Sequence, residues 1–408
     1  MHLAVITVHG CPTRQAGSKD SGGMNIYILE IAKRLAARGV QVDVFTRHHD
    51  PRDPQIVMLA PGARLIHLSA GAQSLDKTGV YELLPQFTSQ MRRFCIANRL
   101  SYDLVSSHYW LSGLVGMRLA SEWGVPHTTS FHTMAEMKRR DRPEELEVAQ
   151  RDCSEQGIAD SAQSIVVWTK DEKNAVVDYC NIDPSKVSVI PPGVDLVHFR
   201  PMSQCQSRQH LGYGEEKNIL FVGRLEPLKG LDNLFHAMAR LGQPNAVMLN
   251  VVGGDENSQE KARLQHLASQ MDLTQSIRFI GSVDQTELPI HYNAADVCVL
   301  PSHYESFGLA ALEAAACGRP VVASEVGGLP AIVQSGSTGF LVPPRESDIM
   351  AERLCQLLND DMLRSRMGGA ARTHAESLGW DRSTDSLLSR YRELVPVPAV
   401  TAVPAAGG

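Results

Sequence analysis

The sequence contains no apolar run that approaches the roughly 20 residues a membrane-spanning helix needs. Its first residues also lack the positively charged region and the small-residue cleavage site of a secretory signal, and they predict a first β-strand instead. We therefore expect a protein of the cytoplasm that has no transmembrane segment.

Charge and cysteine usage argue against other classes of protein. Lysine and arginine number 39 against 45 aspartates and glutamates, and the two signs are interspersed, so no basic surface for nucleic acid is predicted. The eight cysteines show no paired metal-ligand spacing, and in an intracellular chain we expect them to be reduced thiols. No metal site is expected.

What the sequence does contain is a regular alternation of short β-branched runs with helical patterns, which predicts parallel sheets. The predicted strands are residues 3–8, 40–45, 104–107, 128–131, 165–168 and 187–190, followed by 219–222, 247–252, 277–280, 297–300, 321–324 and 340–342. The motif Pro191-Pro192-Gly193-Val194-Asp195 can continue neither a strand nor a helix, so it predicts a linker between the two groups.

The predicted fold class is therefore α/β, with two doubly wound, Rossmann-like domains facing a central cleft. Residues 1–194 would form the first domain and 195–377 the second. A helix over about 378–394 is expected to pack back on the first domain, and the Pro- and Ala-rich tail 395–408 is expected to be disordered.

Three glycine or charge motifs follow predicted strands, where open parallel sheets bind ligands. Gly22-Gly23-Met24-Asn25 begins the first helix, and its free N–H groups would favour an anion; a tight turn needing positive φ is the alternative. In the loop 223–230, Arg224 and Lys229 could grip a diphosphate, and a solvated loop is the alternative. The G-x-G-x-x-G dinucleotide motif follows neither domain's first strand.

The third motif runs from Pro301 to Glu313 and opens an Ala- and Leu-rich helix. Glu305 is expected near the helix start and Glu313 two turns further, about 12 Å away, where they suit hydroxyls on the two sugars of a nucleotide-sugar. Glu305 could instead stabilise the helix dipole. Glu313 falls in an apolar helix and therefore needs a partner.

Two residues at strand ends in the first domain complete the candidate cleft. His132 follows the strand 128–131, and Tyr109 follows 104–107 and could donate from its hydroxyl. A structural histidine is the alternative for His132, and packing is the alternative for His108 and Trp110.

Together these motifs resemble the retaining GT-B glycosyltransferases of family 4, over about residues 1–392. The resemblance rests on Glu-Ser-Phe-Gly at Glu305, the Gly-Arg-Leu…Lys-Gly loop, and Pro-Pro-Gly-Val-Asp. Within the family, His9, Gln15 and the run Asp20 to Asn25 are similar to the D-inositol-3-phosphate glycosyltransferases. The related sucrose-phosphate synthases usually have Gln where Met24 stands.

The resemblance implies that residues 1–194 form the acceptor-binding domain and residues 195–377 the nucleotide-sugar-binding domain, and it implies a role for each matching residue. The catalytic residues would be Arg224, Lys229, Glu305 and His132. The donor-binding residues would be His9, Gln15, Gly22, Gly23, Arg224, Lys229, Glu305, Ser306, Phe307, Gly308 and Glu313. The acceptor-binding residues would be Asp20, Asn25, Lys77, Tyr109, Thr133 and Arg151.

The activity implied is retaining transfer of a hexosyl or N-acetylhexosaminyl group from a nucleotide-sugar, such as UDP-GlcNAc, to a small phosphorylated polyol such as inositol 3-phosphate. No cofactor is expected, magnesium is not expected to be essential, and a homodimer is implied by resemblance alone. The alternatives are a sucrose-phosphate-synthase-like transfer to a hexose phosphate and a non-catalytic sugar-nucleotide-binding protein. The loop Gly281-Ser282-Val283 lacks the arginine expected near a uracil, so the base stays open.

Overall fold

The computed structural model describes residues 1–13, 22–72, 77–141, 149–241, 246–254 and 258–395. The strands are β1 (His2–Ile6), β2 (Gln41–Arg47), β3 (Ile56–Ala60), β4 (Ala63–Leu68), β5 (Leu104–His108), β6 (His127–Ser130), β7 (Ser164–Val167), β8 (Val187–Val189), β9 (Lys217–Val222), β10 (Val247–Val252), β11 (Ile277–Gly281), β12 (Val297–Leu300), β13 (Val321–Ser324) and β14 (Gly339–Val342).

The helices lie between and after these strands. They are α1 (Gly23–Ala37), α2 (Lys77–Glu82), α3 (Leu84–Ala97), α4 (Trp110–Trp123), α5 (Ala135–Asp141), α6 (Ala149–Ser161), α7 (Lys170–Cys180), α8 (Gln204–Leu211), α9 (Leu231–Arg240), α10 (Gln259–Gln270), α11 (Leu288–Ala294), α12 (Leu309–Ala316), α13 (Leu329–Ile332), α14 (Ser347–Asn359), α15 (Asp361–Glu376) and α16 (Trp380–Leu394). No described helix is both long enough and apolar enough to cross a bilayer.

The strands form two sheets, which confirms the predicted pair of doubly wound units. The first sheet has the order β3-β4-β2-β1-β5-β6-β7-β8 and the second β11-β10-β9-β12-β13-β14. Neighbouring strands are parallel apart from β3 and β4, which pair antiparallel. In each sheet, successive strands are added first on one side of the first strand in sequence and then on the other. A crevice lies at the carboxyl ends of the strands where the order switches sides.

The antiparallel hairpin β3–β4 is absent from the sequence-based prediction. No helix separates these two strands, so the βα alternation gives no signal for them, and only Pro61-Gly62 stands between them. Gly62 has φ +85°, a left-handed conformation that glycine adopts without steric cost. The predicted first helix is confirmed: Ile28, Ile31 and Leu35 of α1 are buried.

The chain passes between the two lobes at two adjacent positions. Val194 and Gly379 pair as an isolated parallel bridge, and the N–H of Val194 donates to the carbonyl of Leu378 at 3.0 Å. A Cβ on Gly193 would lie 2.3 Å from the backbone nitrogen of Trp380, so only glycine lets the two crossings approach. After the second crossing, α16 packs on α1 of the first lobe.

The contacts of α16 with the first lobe are specific. The hydroxyl of Tyr391 lies 3.1 Å from that of Ser106 in β5, and Arg38 pairs with Asp381 and Asp385. The helix thus ties the end of the chain to the lobe in which the chain begins. Of the predicted tail, residues 396–408 lie outside the described part of the chain.

Candidate functional site

A cavity of about 630 Å³ lies between the two lobes, at the carboxyl ends of both sheets. Its walls include residues that follow β1, β5 and β6 in one lobe and β9, β10 and β12 in the other. The predicted site residues that line it are His9, Gly22, Gly23, Asn25, Tyr109, His132, Thr133, Arg224, Lys229, Glu305, Ser306, Phe307, Gly308 and Glu313.

The glycine pair at the start of α1 contacts the opposite lobe. Gly22 is extended (φ −146°), and Gly23 also lies outside the left-handed region, so the alternative of a turn that needs positive φ is wrong. A Cβ on Gly23 would lie 3.3 Å from Cδ1 of Leu309. A Cβ on Gly22 would lie 3.7 Å from Nε of Arg224. The absent side chains therefore keep the N-terminus of α1 open to the cleft, where its N–H groups favour an anion.

The two cations of the loop after β9 both line the cavity, and each has an acidic partner. Nη1 of Arg224 lies 2.7 Å from Oε1 of Glu226, and Nζ of Lys229 lies 2.7 Å from Oε2 of Glu305. The loop turns at Gly230, which has φ +67° and whose Cβ would lie 2.1 Å from the carbonyl oxygen of Pro301. Because β9 and β12 are neighbours in the sheet, their following loops bring this lysine and glutamate together.

The expected helical placement of Glu305 is wrong. Helix α12 begins at Leu309, and Gly308 before it has φ +100°, which interrupts the helix. Glu305 therefore lies in the loop after β12, and the helical rise does not give its separation from Glu313. Its carbonyl oxygen accepts a 3.3 Å hydrogen bond from the N–H of Gly328, so a neighbouring loop fixes this part of the backbone.

The supporting loop is the pair Gly327-Gly328 after β13, which sequence reasoning missed. A Cβ on Gly327 would lie 1.6 Å from the carbonyl oxygen of Glu305, and one on Gly328 would lie 2.4 Å from Cα of Phe307. Side chains are therefore excluded at both positions. The available signal was two consecutive glycines shortly after a predicted strand, the same criterion that identified Gly22-Gly23.

Glu313 has a hydrogen-bond partner, as expected for a carboxyl group within an apolar helix. The hydroxyl of Tyr292 in α11 donates to Oε2 of Glu313 at 2.7 Å, and Glu313 is 6% exposed. Burial raises the pKa of Glu313 to about 7, and the hydrogen bond from Tyr292 acts in the opposite direction. At neutral pH this carboxyl group is therefore divided between its ionised and neutral forms.

His132 is held against a second histidine. Its Nε2 lies 2.9 Å from Nδ1 of His108, and its backbone has φ +61°, which is uncommon outside glycine. Burial, with the neighbouring His108 and His9, lowers the pKa of His132 well below 6.5, so the ring is neutral. Nδ1 of His132 is buried and has no partner among the described residues.

Three of the predicted acceptor residues meet at the other side of the cavity. The guanidinium of Arg151 lies over the ring of Tyr109, 5.0 Å from its centroid, and donates to the carbonyl of Thr133. Arg151 is fully buried, pairs with Glu155 at 2.6 Å and does not itself line the cavity. It therefore supports the wall that Tyr109 and Thr133 form.

The remaining predicted acceptor and donor residues are described only in part. Asn25 is 2% exposed, and its amide donates to the carbonyl of Cys11 at 3.1 Å. Lys77 begins α2, but its side chain is outside the described part of the chain, as are Gln15 and Asp20. Within the described residues, no group of three His, Cys, Asp or Glu side chains is placed to hold a metal ion.

Some lining residues were not anticipated from the sequence. Trp168 follows β7, and its ring packs edge-on against His132 at 4.9 Å and against Phe307 of the other lobe at 6.2 Å. Its position at a strand end was the same signal that identified Tyr109 and His132. Glu226, which holds Arg224, carries no comparable signal.

Two Rossmann-like lobes, with cations and carboxylates converging on a cleft between their strand ends, define a GT-B glycosyltransferase. Family models support this class: residues 22–193 match the glycosyl transferase 4-like domain, and residues 203–374 match the glycosyl transferases group 1. A D-inositol 3-phosphate glycosyltransferase of Thermobifida fusca is 41% identical over 407 residues, covering 96% of this chain and 93% of that protein.

Solved structures agree in fold. The sucrose-phosphate synthase of Thermosynechococcus elongatus is 32% identical with a TM-score of 0.90, over 96% of this chain and 98% of that one. HepE of Anabaena, solved with UDP and glucose, is 20% identical with a TM-score of 0.78, over 97% and 100% of the two chains, and shows the fold alone. The chain belongs to the family 4 glycosyltransferases, and it is a retaining glycosyltransferase of the GT-B fold.

Proposed function

We propose that this enzyme transfers a hexosyl or N-acetylhexosaminyl group from a nucleotide-sugar, with UDP-GlcNAc as the first candidate, to a small phosphorylated polyol such as inositol 3-phosphate. The observation that carries the proposal is the pairing of two walls in one cleft. Arg224, Lys229 and Glu305 line one wall, and Tyr109 and Thr133, backed by Arg151, line the other.

The donor half of the proposal rests on the charges of the second lobe. When the bond between the sugar and the diphosphate breaks, negative charge develops on the leaving phosphate. Arg224 and Lys229 lie in the cleft as preorganised cations for that charge, and the N-terminus of α1 adds N–H donors opposite them. Because two protein cations can take this role, we expect turnover without an added divalent metal.

The acceptor half rests on the first lobe and on the relative's name. Tyr109 and Thr133 each bring a hydroxyl group to the cleft, and the buried guanidinium of Arg151 holds both residues in place, so their hydroxyls suit a phosphate group. The relative from Thermobifida fusca is named as acting on D-inositol 3-phosphate, and its identity of 41% extends over 96% of this chain. We therefore place the acceptor phosphate at Tyr109 and Thr133.

The proposed reaction forms one glycosidic bond and breaks one sugar–phosphate bond. The acceptor hydroxyl attacks the anomeric carbon on the face from which the diphosphate leaves, and the departing phosphate oxygen takes the hydroxyl proton. The configuration is then retained without a general base. Neutral His132 lines the cleft where we place the donor sugar, and Lys229 holds Glu305 in the same cleft.

A second candidate is transfer to a hexose phosphate, as the name of the matched sucrose-phosphate synthase indicates for that protein. The TM-score of 0.90 and the 32% identity favour it. Met24, where that branch usually has glutamine, argues against it. Both candidates use a phosphorylated acceptor, so they differ in the ring that the first lobe must accommodate.

A donor-by-acceptor turnover screen tests the proposal. UDP-, GDP- and ADP-sugars are combined with inositol 3-phosphate, fructose 6-phosphate and unphosphorylated inositol, with magnesium and without it. We expect product from a UDP-sugar with inositol 3-phosphate. Product with fructose 6-phosphate instead would support the second candidate, and tight nucleotide binding without any turnover would support a binding protein.

The acceptor site is tested by Tyr109→Phe, which removes one hydroxyl. We expect the KM for inositol 3-phosphate to rise about tenfold, since a hydrogen bond to a charged group is lost. Tyr213→Phe is the matched control, because Tyr213 lies against Arg278 of the second lobe, outside the cleft. An unchanged KM in Tyr109→Phe would remove this residue from the acceptor site.

A further inference from the structure

Tyr292 is a buried tyrosine outside the cleft that contacts a residue within it. It lies in α11, is 1% exposed, and does not line the cavity that Glu313 lines. We infer that Tyr292 is a positioning residue that keeps Glu313 oriented and ionised so that it accepts hydrogen bonds from the ribose hydroxyls of a nucleoside diphosphate. The inference deepens the proposed function and rests on its nucleotide-sugar site.

The geometry allows Tyr292 to orient the carboxylate. Its hydroxyl donates to Oε2 of Glu313 at 2.7 Å, and its ring packs edge-on against Phe199 at 5.9 Å. The other residues of α12 are alanine and leucine, so the helix itself provides no polar side chain to hold Glu313. Within the described residues, Oε2 is the bonded oxygen, which leaves Oε1 for a ligand in the cleft.

The phenol is suited to be a permanent donor. Burial, with the nearby carboxylate, raises the pKa of Tyr292 well above 10, so the hydroxyl keeps its proton throughout the physiological range. A donor stabilises the ionised form of its acceptor. Tyr292 therefore opposes the burial that raises the pKa of Glu313 to about 7.

The other ionisable groups around α12 do not take this role. Burial raises the pKa values of Cys298 and Cys317, which keeps both thiols neutral. Arg372 of α15 donates to the carbonyls of Phe199 and Ala316 and pairs with Glu376. Among the other charged groups that the structure describes near the helix, Arg319 donates to the carbonyl of Ala295, and Lys229 and Glu305 pair with each other in the cleft.

The inference predicts a specific pH dependence for Tyr292→Phe. Losing the hydrogen bond should raise the pKa of Glu313 by about one unit, because a hydrogen bond to a charged group stabilises the ionised form by at least the free energy that one pKa unit represents. From a starting value of about 7, the ionised fraction at pH 7 then falls about fivefold, whereas at pH 9 both proteins are mostly ionised. Nucleotide affinity should follow the same course.

The experiment is titration calorimetry of UDP, GDP and ADP between pH 6 and 9, without turnover. The ratio of the dissociation constants of variant and wild type is measured, because the nucleotide's own ionisation cancels in it. We expect Tyr292→Phe to weaken binding about fivefold at pH 7 and less than twofold at pH 9. Tyr391→Phe, which loses a buried hydrogen bond to Ser106, is the matched control and should leave the ratio at one.

A second variant separates positioning from packing. In Glu313→Gln the carboxylate is absent, so adding Tyr292→Phe should produce no further pH-dependent loss. Equal weakening by Tyr292→Phe at every pH, or none, would overturn the inference while nucleotide binding itself persists. Failure of the wild type to bind any of the three nucleotides would instead contradict the proposed function.

Discussion

The hydroxyl of Ser306 donates a 2.9 Å hydrogen bond to the backbone carbonyl oxygen of His132, across the cleft between the two lobes. Ser306 precedes α12 in the second lobe, and His132 follows β6 in the first. The contacts of Gly23 with Leu309 and of Trp168 with Phe307 join the same two lobes. The two lobes are therefore closed onto each other at this edge of the cleft, and closure of this kind limits the access of water to a site of transfer.

We expect Ser306→Ala to weaken this closure. The variant loses one neutral hydrogen bond, worth about 1 kcal/mol, so kcat/KM should fall about fivefold while thermal stability stays near that of the wild type. Steady-state kinetics measures the fall. Ser161→Ala is the control, since among the described residues the hydroxyl of Ser161 donates within its own lobe, to the carbonyl of Ile158. An equal loss of activity in both variants would contradict a role for the contact across the cleft.

The cations after β9 should act on the chemical step. We expect Lys229→Ala and Arg224→Ala each to lower kcat about a hundredfold, because each removes a group that stabilises charge on the leaving phosphate. Lys217→Ala, which breaks the exposed pair with Asp361, should leave kcat unchanged. If the two cleft variants raise only KM, the cations bind the ground state as tightly as the transition state.

Most of the fold could be predicted from the sequence, because most of the buried parallel strands are short apolar runs with a helix after them, although β6 (His127–Ser130) is polar. The strands Val247–Val252, Val297–Leu300 and Val321–Ser324 have the predicted bounds. The hairpin β3–β4 could not be predicted in this way. It lies at the edge of its sheet, and although Ile56–Ala60 is a continuous apolar run, no helix separates this strand from Ala63–Leu68, so the alternation of strand and helix does not reveal it.

The candidate site was located by one rule, that ligands bind where parallel strands end. The rule identified Arg224, Lys229 and His132 because each closely follows a strand. It could not identify contacts between distant segments, such as Gly327 against Glu305 or Tyr292 against Glu313. Such contacts depend on how loops and helices pack together, which a local sequence pattern does not predict. The start of the helix at Leu309 likewise could not be predicted, because Gly308 has a positive φ, and a side chain there would lie 2.6 Å from Cδ2 of Leu329, a residue distant in sequence.

Gly23→Ala separates binding from helix stability. The new methyl group would lie 3.3 Å from Cδ1 of Leu309, at the end of α1 that faces the cleft. We expect kcat/KM to fall about tenfold, since the phosphate loses its close approach to the backbone, while the melting temperature does not decrease. Gly369 lies at an exposed position of α15, and a Cβ there would have no atom within 4 Å, so Gly369→Ala should raise the free energy of unfolding by about 0.5–1 kcal/mol without changing activity. If Gly23→Ala raised stability as much as Gly369→Ala and kept full activity, Gly23 would not belong to the donor site.

Asp43 of β2 should control the stability of the first lobe in acid. Burial would raise the pKa of Asp43, but hydrogen bonds from His2, Arg64 and Tyr102 outweigh it and hold the pKa at about 2. Because the folded value is below that of an unfolded aspartate, about 3.9, the stabilisation is complete above pH 4 and is lost as the pH falls towards 2.

We expect Asp43→Asn to lower the free energy of unfolding by about 3 kcal/mol at pH 7, since it leaves the guanidinium of Arg64 without its bidentate partner. Denaturant unfolding between pH 2.5 and 7 should show the difference from the wild type shrinking in acid. Asp385→Asn, which breaks an exposed pair with Arg38, should cost less than about 1 kcal/mol at every pH, and the same acid dependence in both variants would contradict the assignment to Asp43.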